Sequence, residues 1–395
     1  MKELPIYLDY CATTPCDPRV LERMLPYFTD YFGNAASKDH HYGWMAKDAV
    51  ELAREQVADL IGSKPNQVIF TSGATESVNL ALKGLMEGTN RKRSHIITTK
   101  VEHEAVLDSC RYLEQQGNTI TYLDVDKEGG LSLEALEHAI TPETLAISIM
   151  YANNETGVVN PVKEIGAIAR KHQVKFVCDA TQAVGKIPVD VQADEIDLLC
   201  FSAHKIYGPK GVGALFINEK SQKPLVFKQQ HGGSQERGHR GGTLNIPGIV
   251  GFGQAAAICK EEMNDEGARL QSLRNRFEES LLEKVAGSTV NGRINRLPHI
   301  SNIRFPGVDA ERLLLKVSKY LALSRGSACS GLMQKESHVL KAMGLSREEA
   351  GQAIRISLGR FTKMEDVVYA INVLTDAVEE ALSGNGLSVL KPLTL

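Results

Sequence analysis

Seven short apolar runs, spaced by stretches of helical periodicity, restrict this chain more than any other feature it carries. The runs are QVIFTS, SHIITTK, TITYLDV, TLAISIMY, VKFVCD, IDLLCFS and GALFIN; between them lie ESVNLALKGLM, AVLDSCRYLEQQ, LSLEALEHAI and KEIGAIARKH. Strand-length runs alternating with helical patterns are the mark of βαβ units. The predicted fold class is therefore α/β, with a mostly parallel central sheet and helices on both faces. Ligands of such sheets sit at the carboxyl ends of the strands, so chemistry is to be sought just after each run.

From about residue 255 the character changes. A charged helical pattern, AAAICKEEMNDEGARLQSLRNRFEESLLEKV, leads to the short strand-like pieces HISNIRF and AIRISL with amphipathic stretches around them. This reads as a connector into a smaller α+β unit, against which the first fifteen residues are expected to pack. The expected division is a large domain over 16–255 and a small one formed by 1–15 and 256–395.

Composition removes several classes of function. The 395 residues are 43% hydrophobic and 24% charged, which suits a soluble globular protein, and no apolar run reaches the ~18 residues of a membrane span. A net charge of −3, with Lys and Arg spread along the chain, gives no electrostatic case for a nucleic-acid or membrane surface. The seven cysteines are scattered, odd in number and without a CxxC pair, so neither a disulfide framework nor a structural zinc site is expected. Cys178 and Cys200 lie in strand-like runs, Cys110 and Cys259 in helical patterns, and all four read as core packing. MKELPIYLDY has no basic segment followed by an apolar one, so no secretory signal is read there, and a cytoplasmic location is expected.

The residues after the runs form a consistent set. QVIF is followed by TSGATES, where a helix starting near Ala74 or Thr75 would offer free N–H groups to a phosphate; the same pattern is also an ordinary capping box. VKFV leads to Asp179 and Gln182, an acid that is costly to bury without a cationic partner. SIMYA leads to Asn153, Asn154 and Glu155, IITTKVE leads to His103, and IDLLCF leads to Ser202, His204 and Lys205. Lys205, at a strand end before the turn YGPKGVG, is either a solvated stem or an amine placed for covalent chemistry.

Taken singly, each residue has an ordinary structural explanation. Together they place a phosphate cradle, a carboxylate, amides, an imidazole and an amine on one rim. Pyridoxal 5'-phosphate (PLP) needs this inventory: a helix N-terminus for its phosphate, an Asp for its pyridinium nitrogen and a lysine of lowered pKa for its aldehyde. Lys205 is thus read as the Schiff-base lysine, with the glycines after it allowing close approach of backbone to cofactor.

Several blocks then match one known family. YLDYCATTP, FGNAAS, TSGATES, VEHEAV, NNETG, CDATQAVGK, SAHKIYGPKGVG, RGGT, RGSACSG and IRISLGR, in order from about residue 5 to 362, resemble the cysteine desulfurases, PLP enzymes of fold-type I and the class V aminotransferase group. The short RGSACSG loop resembles group I, the iron–sulfur-assembly and nitrogen-fixation type. The resemblance implies that His103 stacks on the ring and handles protons, Asp179 pairs with the pyridine nitrogen and Gln182 contacts the ring hydroxyl. It implies phosphate contacts from Ala74, Thr75, Ser202 and His204, and from Thr243 across a homodimer. Arg355 would hold the substrate carboxylate with Asn154 and Asn34. The C-terminal LSGNGLSVLKPLTL departs from the family, so the sulfur acceptor is not implied, and Cys11 and Cys16 receive no role.

Read by itself, RGSACSGLM is an exposed loop, in which Cys329 is a reactive thiol or an incidental one. The resemblance makes it the catalytic thiol. L-Cysteine would become L-alanine, with the sulfur left on Cys329 as a persulfide for an acceptor protein. Lys205 would be the base for the α-proton and His103 a helper in deprotonating a thiol. A selenocysteine lyase or an aminotransferase on the same fold would need no such loop thiol; a non-catalytic relative would not keep Lys205, Asp179, His103 and Cys329 together.

Overall fold

A computed structural model describes residues 4–88, 94–218, 225–325 and 336–383. Its twelve strands are β1 (Ile6–Tyr7), β2 (Val68–Thr71), β3 (His95–Thr99), β4 (Thr119–Leu123), β5 (Thr144–Ser148), β6 (Lys175–Asp179), β7 (Leu198–Ser202), β8 (Gly213–Ile217), β9 (Thr289–Val290), β10 (Ile300–Arg304), β11 (Leu321–Ala322) and β12 (Ala353–Ser357). All seven apolar runs are strands of one seven-stranded sheet, in the order β2-β8-β7-β6-β5-β3-β4. β3, β4, β5, β6 and β7 pair in parallel; β8 alone is reversed, antiparallel to β2 and to β7.

Side chains of the strands alternate between two cores. Val68, Phe70, Phe176, Cys178, Leu199 and Phe201 join one cluster, which holds buried residues of the helix His41–Leu60. Ile69, Val177, Leu198 and Cys200 join another, under the helices Ala74–Glu87 and Glu104–Gln115. Helices thus cover both faces. The carboxyl ends of β2, β3, β5, β6 and β7 all open on one rim.

A third cluster belongs to the C-terminal part. It includes Ile303, Phe305, Leu313, Ile354 and Leu374, together with Leu8 from the N-terminus. β1 pairs with β11, Ile6 opposite Leu321, while Cys11 is buried in the large core and Thr14 bonds to His204 of the large sheet's rim. β10 lies antiparallel between β12 and β9. Among the described residues no helix is long and apolar enough to cross a membrane.

The connector is a helix of 39 residues, Ile246–Lys284, that starts nine residues before the charged pattern suggested. Its first turns contain Gly248, Gly251 and Gly253, and glycine lowers helix propensity. Contact explains them: a Cβ on Gly253 would lie 2.5 Å from Ala53 Cα. Gly253 lets this helix pack closely against His41–Leu60, whereas a Cβ on Gly251 would lie 2.5 Å from Met24 Sδ and one on Gly248 2.4 Å from Asn245 Nδ2. Ile249, Phe252 and Cys259 are buried in the large core, and Leu270, Phe277 and Leu281 in the C-terminal one.

Candidate active site

Most of the residues singled out after the strands line one cavity of about 520 Å³ at the carboxyl rim: Ala74, Thr75, His103, Asn154, Asp179, Gln182, Ser202, His204 and Lys205. Its phosphate-type end is the helix Ala74–Glu87. The first intrahelical bond there runs from Ser77 N–H to Gly73 O, which leaves the N–H groups of Ala74, Thr75 and Glu76 without an intrahelical acceptor. Gly73 and Gly213 explain how β8 reaches this turn, since a Cβ on Gly213 would lie 2.6 Å from Gly73 Cα. Gly213 serves the close approach of two backbone segments; Gly211, at φ +81°, is the one after Lys205 that lines the cavity.

Lys205 closes a single 3-10 turn, Ala203–Lys205, directly after β7. Its Nζ donates to the main-chain oxygens of Cys11 and Ala12, the latter at 2.8 Å. Burial pulls its pKa down to about 8; Arg355 pulls the same way, against Cys11, Asp179 and Asp9. Gln182 Nε2 donates to the same Cys11 oxygen at 3.1 Å. The N-terminal segment is therefore part of the site through its carbonyls, a contribution with no side-chain signal in the sequence.

Asp179 ends β6, 8% exposed. Thr181 satisfies one of its oxygens, through its N–H at 3.0 Å and its hydroxyl at 2.5 Å, both to Oδ1. No ion pair forms on Asp179 among the described residues. A buried carboxylate that no cationic side chain pairs with fits a cationic ring nitrogen. His103 is the N-cap of Glu104–Gln115; its Nδ1 accepts from Ala105 N–H at 3.1 Å, so a ring N–H can only be on Nε2. His204 Nδ1 lies 3.1 Å from Thr13 Oγ1, and burial, with Lys205 and Lys210 nearby, draws its pKa to about 4. It is a neutral hydrogen-bonding group at neutral pH. This donor set fits pyridoxal 5'-phosphate.

Three expected residues stand outside the cavity wall. Arg355, on β12, is buried; it donates from Nη2 to Asp9 Oδ1 at 2.6 Å and from Nη1 to the main-chain oxygen of Asn154 at 2.9 Å, so it stands behind Asn154. Asn34 is exposed and accepts from Ala36 N–H at 2.9 Å. Thr243 is exposed as well. Cys329 lies outside the described residues. Reasoning from strand ends missed Lys210, Thr13 and Glu76 in the wall. Glu76 had a signal, the Glu of the TSGATES capping pattern; the other two follow only from the path of the chain.

The chain matches the Aminotransferase class-V family over residues 6–369. It is 50% identical over 379 residues to a cysteine desulfurase IscS of Anaeromyxobacter dehalogenans, covering 96% of this chain and 93% of that protein. It also resembles a solved NifS-like protein at TM-score 0.88 and 37% identity, covering 96% of this chain and all of the other. A structure described as SspA in complex with cysteine matches at TM-score 0.80 and 37% identity, over 90% of this chain and 99% of that one. The chain belongs to the class V aminotransferases, enzymes of PLP fold-type I. Within them it belongs to the PLP-dependent cysteine desulfurases.

Proposed function

We propose that this chain converts L-cysteine to L-alanine and receives the sulfur on Cys329 as a persulfide, for delivery to an acceptor protein. The observation that carries the reading is Lys205: an amine brought to about pKa 8 by burial, in one cavity with Asp179, Gln182, His103 and a free helix N-terminus. When bound, PLP supplies an aldehyde for an amine and an electron sink for the substrate α-carbon.

The remaining steps fall to the chain. Ala74, Thr75, Ser202 and His204 hold the phosphate, Asp179 the ring nitrogen and Gln182 the ring hydroxyl. Arg355, its Nη1 turned from the Asn154 main-chain oxygen, takes the substrate carboxylate beside Asn154 at the wall; a guanidinium and a carboxylate match in a strong charged pair. Lys205 Nζ, neutral in useful amount near pH 8, takes the α-proton. His103 Nε2 is the ring nitrogen left to exchange a thiol proton, because Nδ1 is tied to Ala105. At Cys329 an S–S bond forms as the substrate C–S bond breaks. The electron pair stays with the carbon fragment and a thiol proton ends on the alanine methyl, so no external oxidant or reductant is needed.

Position and protonation of the other thiols support the choice of Cys329. None of the six described cysteines lines the cavity. Burial raises the pKa of Cys11, Cys178, Cys200 and Cys259 and takes Cys110 up to about 12, all against thiolate formation.

A single turnover with L-cysteine, alkylation and peptide mass spectrometry test the reading. Persulfide is expected on Cys329 alone, and Cys329→Ala should bind cysteine while forming almost no alanine. Sulfane sulfur on Cys11 or Cys16 instead, or ordinary alanine production by Cys329→Ala, overturns it; the latter would favour a lyase or transaminase.

A further inference from the structure

Glu76 is an acid at the end of the cavity where an anion is expected. It sits in the first turn of Ala74–Glu87 and in the wall, next to the free N–H groups of Ala74 and Thr75. A carboxylate there opposes the attraction of the helix end for a phosphate dianion. Locally it is useful, because its Oε2 accepts from Ser72 N–H at 2.7 Å and so fixes the turn before the helix.

The charge does not stand alone. Arg240 Nε donates to Glu76 Oε1 at 2.9 Å, with the two side chains 18% and 23% exposed. Burial pushes the Glu76 pKa up, but the bonds from Arg240 and Ser72 outweigh it and hold the group ionised, below the usual carboxylate range.

Arg240 arrives from a part of the chain 164 positions away, and that part is anchored. Glu236, 5% exposed, accepts from Arg54 Nη1 at 2.7 Å and Nη2 at 2.9 Å, and from Phe70 N–H at 2.7 Å. Glu236 and Arg237 have φ of +48° and +55°, a left-handed backbone that tertiary contacts must maintain in residues other than glycine. Gln235 Oε1 accepts from Gly242 N–H at 3.0 Å and braces the other side of Arg240. The guanidinium is presented by a built platform rather than by a free surface arm.

We infer that Arg240 cancels the charge of Glu76 at the phosphate end of the cavity and thereby sets the affinity for the cofactor phosphate. Arg240 is a positioning residue that acts through Glu76, and this rests on the reading that the Ala74–Thr75 end receives the phosphate.

Apoenzyme variants titrated with PLP and, separately, with pyridoxal lacking the phosphate test it. Arg240→Gln should weaken PLP binding about tenfold, the size of one uncompensated like-charge contact near solvent. Glu76→Gln should bind PLP at least as tightly as the parent, and the double variant Glu76→Gln/Arg240→Gln should bind like Glu76→Gln. Pyridoxal should bind all four proteins alike. Parent-like PLP affinity in Arg240→Gln overturns the inference. So does a double variant as weak as Arg240→Gln, because Arg240 would then act on the phosphate itself. Equal losses for pyridoxal and PLP also overturn it, since the effect would be structural. A parent protein that takes up no PLP overturns the functional reading as well, which separates the two failures.

Discussion

At the scale of single residues, Lys205 gives the sharpest consequence. Its amine donates to two carbonyls, Cys11 O and Ala12 O, which accept from an ammonium as well as from an amine; burial is what lowers its pKa. A folded-state value near 8 instead of the ordinary 10.5 makes the amine half neutral near pH 8. Only the neutral amine attacks an aldehyde, so uptake of PLP by apoenzyme should quicken as pH rises through about 8 and then level off. Stopped-flow absorbance between about pH 6 and pH 10 reads this; a rate still climbing at the top of that range contradicts the lowered pKa. The amine was legible in the sequence only in company: alone, a lysine after a strand reads as readily as a solvated stem, and it was Asp179, His103 and the turn at Ala74 at the other strand ends that marked it for chemistry. Its carbonyl partners were not legible, because main-chain oxygens are the same at every residue. Asn34 shows the opposite case: a family position with a clear expected role lies exposed, capping Ala36, outside the cavity of its own chain.

At the scale of elements, the segment 11–17 and the turn after β7 hold each other. Thr14 N–H and Oγ1 both donate to His204 O, at 3.0 and 2.9 Å; Tyr207 N–H donates to Thr14 Oγ1 at 2.9 Å, and Asp17 N–H to Tyr207 O at 2.9 Å. Tyr207 has φ +65°, so the turn that presents Lys205 keeps a backbone form it would not choose alone. Thr14→Val keeps the shape, removes the hydroxyl and strands the buried Tyr207 N–H. It should destabilise the fold by about 1–3 kcal/mol, the penalty of one unsatisfied buried donor. Denaturant unfolding of the apoenzyme measures this, and a change below about 0.5 kcal/mol, the scale of a surface substitution, counts against the stitch. The strands of the large sheet were readable from their apolar runs. The early start of the long helix was not, since Gly248, Gly251 and Gly253 argue against a helix until the close contacts of Gly248 with Asn245, Gly251 with Met24 and Gly253 with Ala53 are known. We propose that the boundary between the two domains lies inside that helix, between Cys259 and Leu270, where its buried face passes from one core to the other.

At the scale of the whole molecule, the placement of Thr243 makes one chain look incomplete. Arg240, three residues before it, is tied to the phosphate-end helix of its own chain, yet Thr243 is exposed and absent from that chain's cavity wall. A phosphate contact from Thr243 therefore needs a second copy, which is the homodimer that the family resemblance implies. We propose that each cavity is completed by the partner's RGGT segment. Complementation between two defective subunits tests this. A heterodimer of Lys205→Ala and Thr243→Ala subunits, purified with two different tags, contains one cavity that joins an intact Lys205 to an intact Thr243 only if Thr243 acts across the interface. Such a heterodimer should hold one PLP with parental affinity, while the Thr243→Ala homodimer binds weakly at both sites. If Thr243 served its own chain, neither cavity of the heterodimer would be complete, and its titration would show no tight site. A chain that stays monomeric by sedimentation while binding PLP with parental affinity would remove the interface from the site altogether.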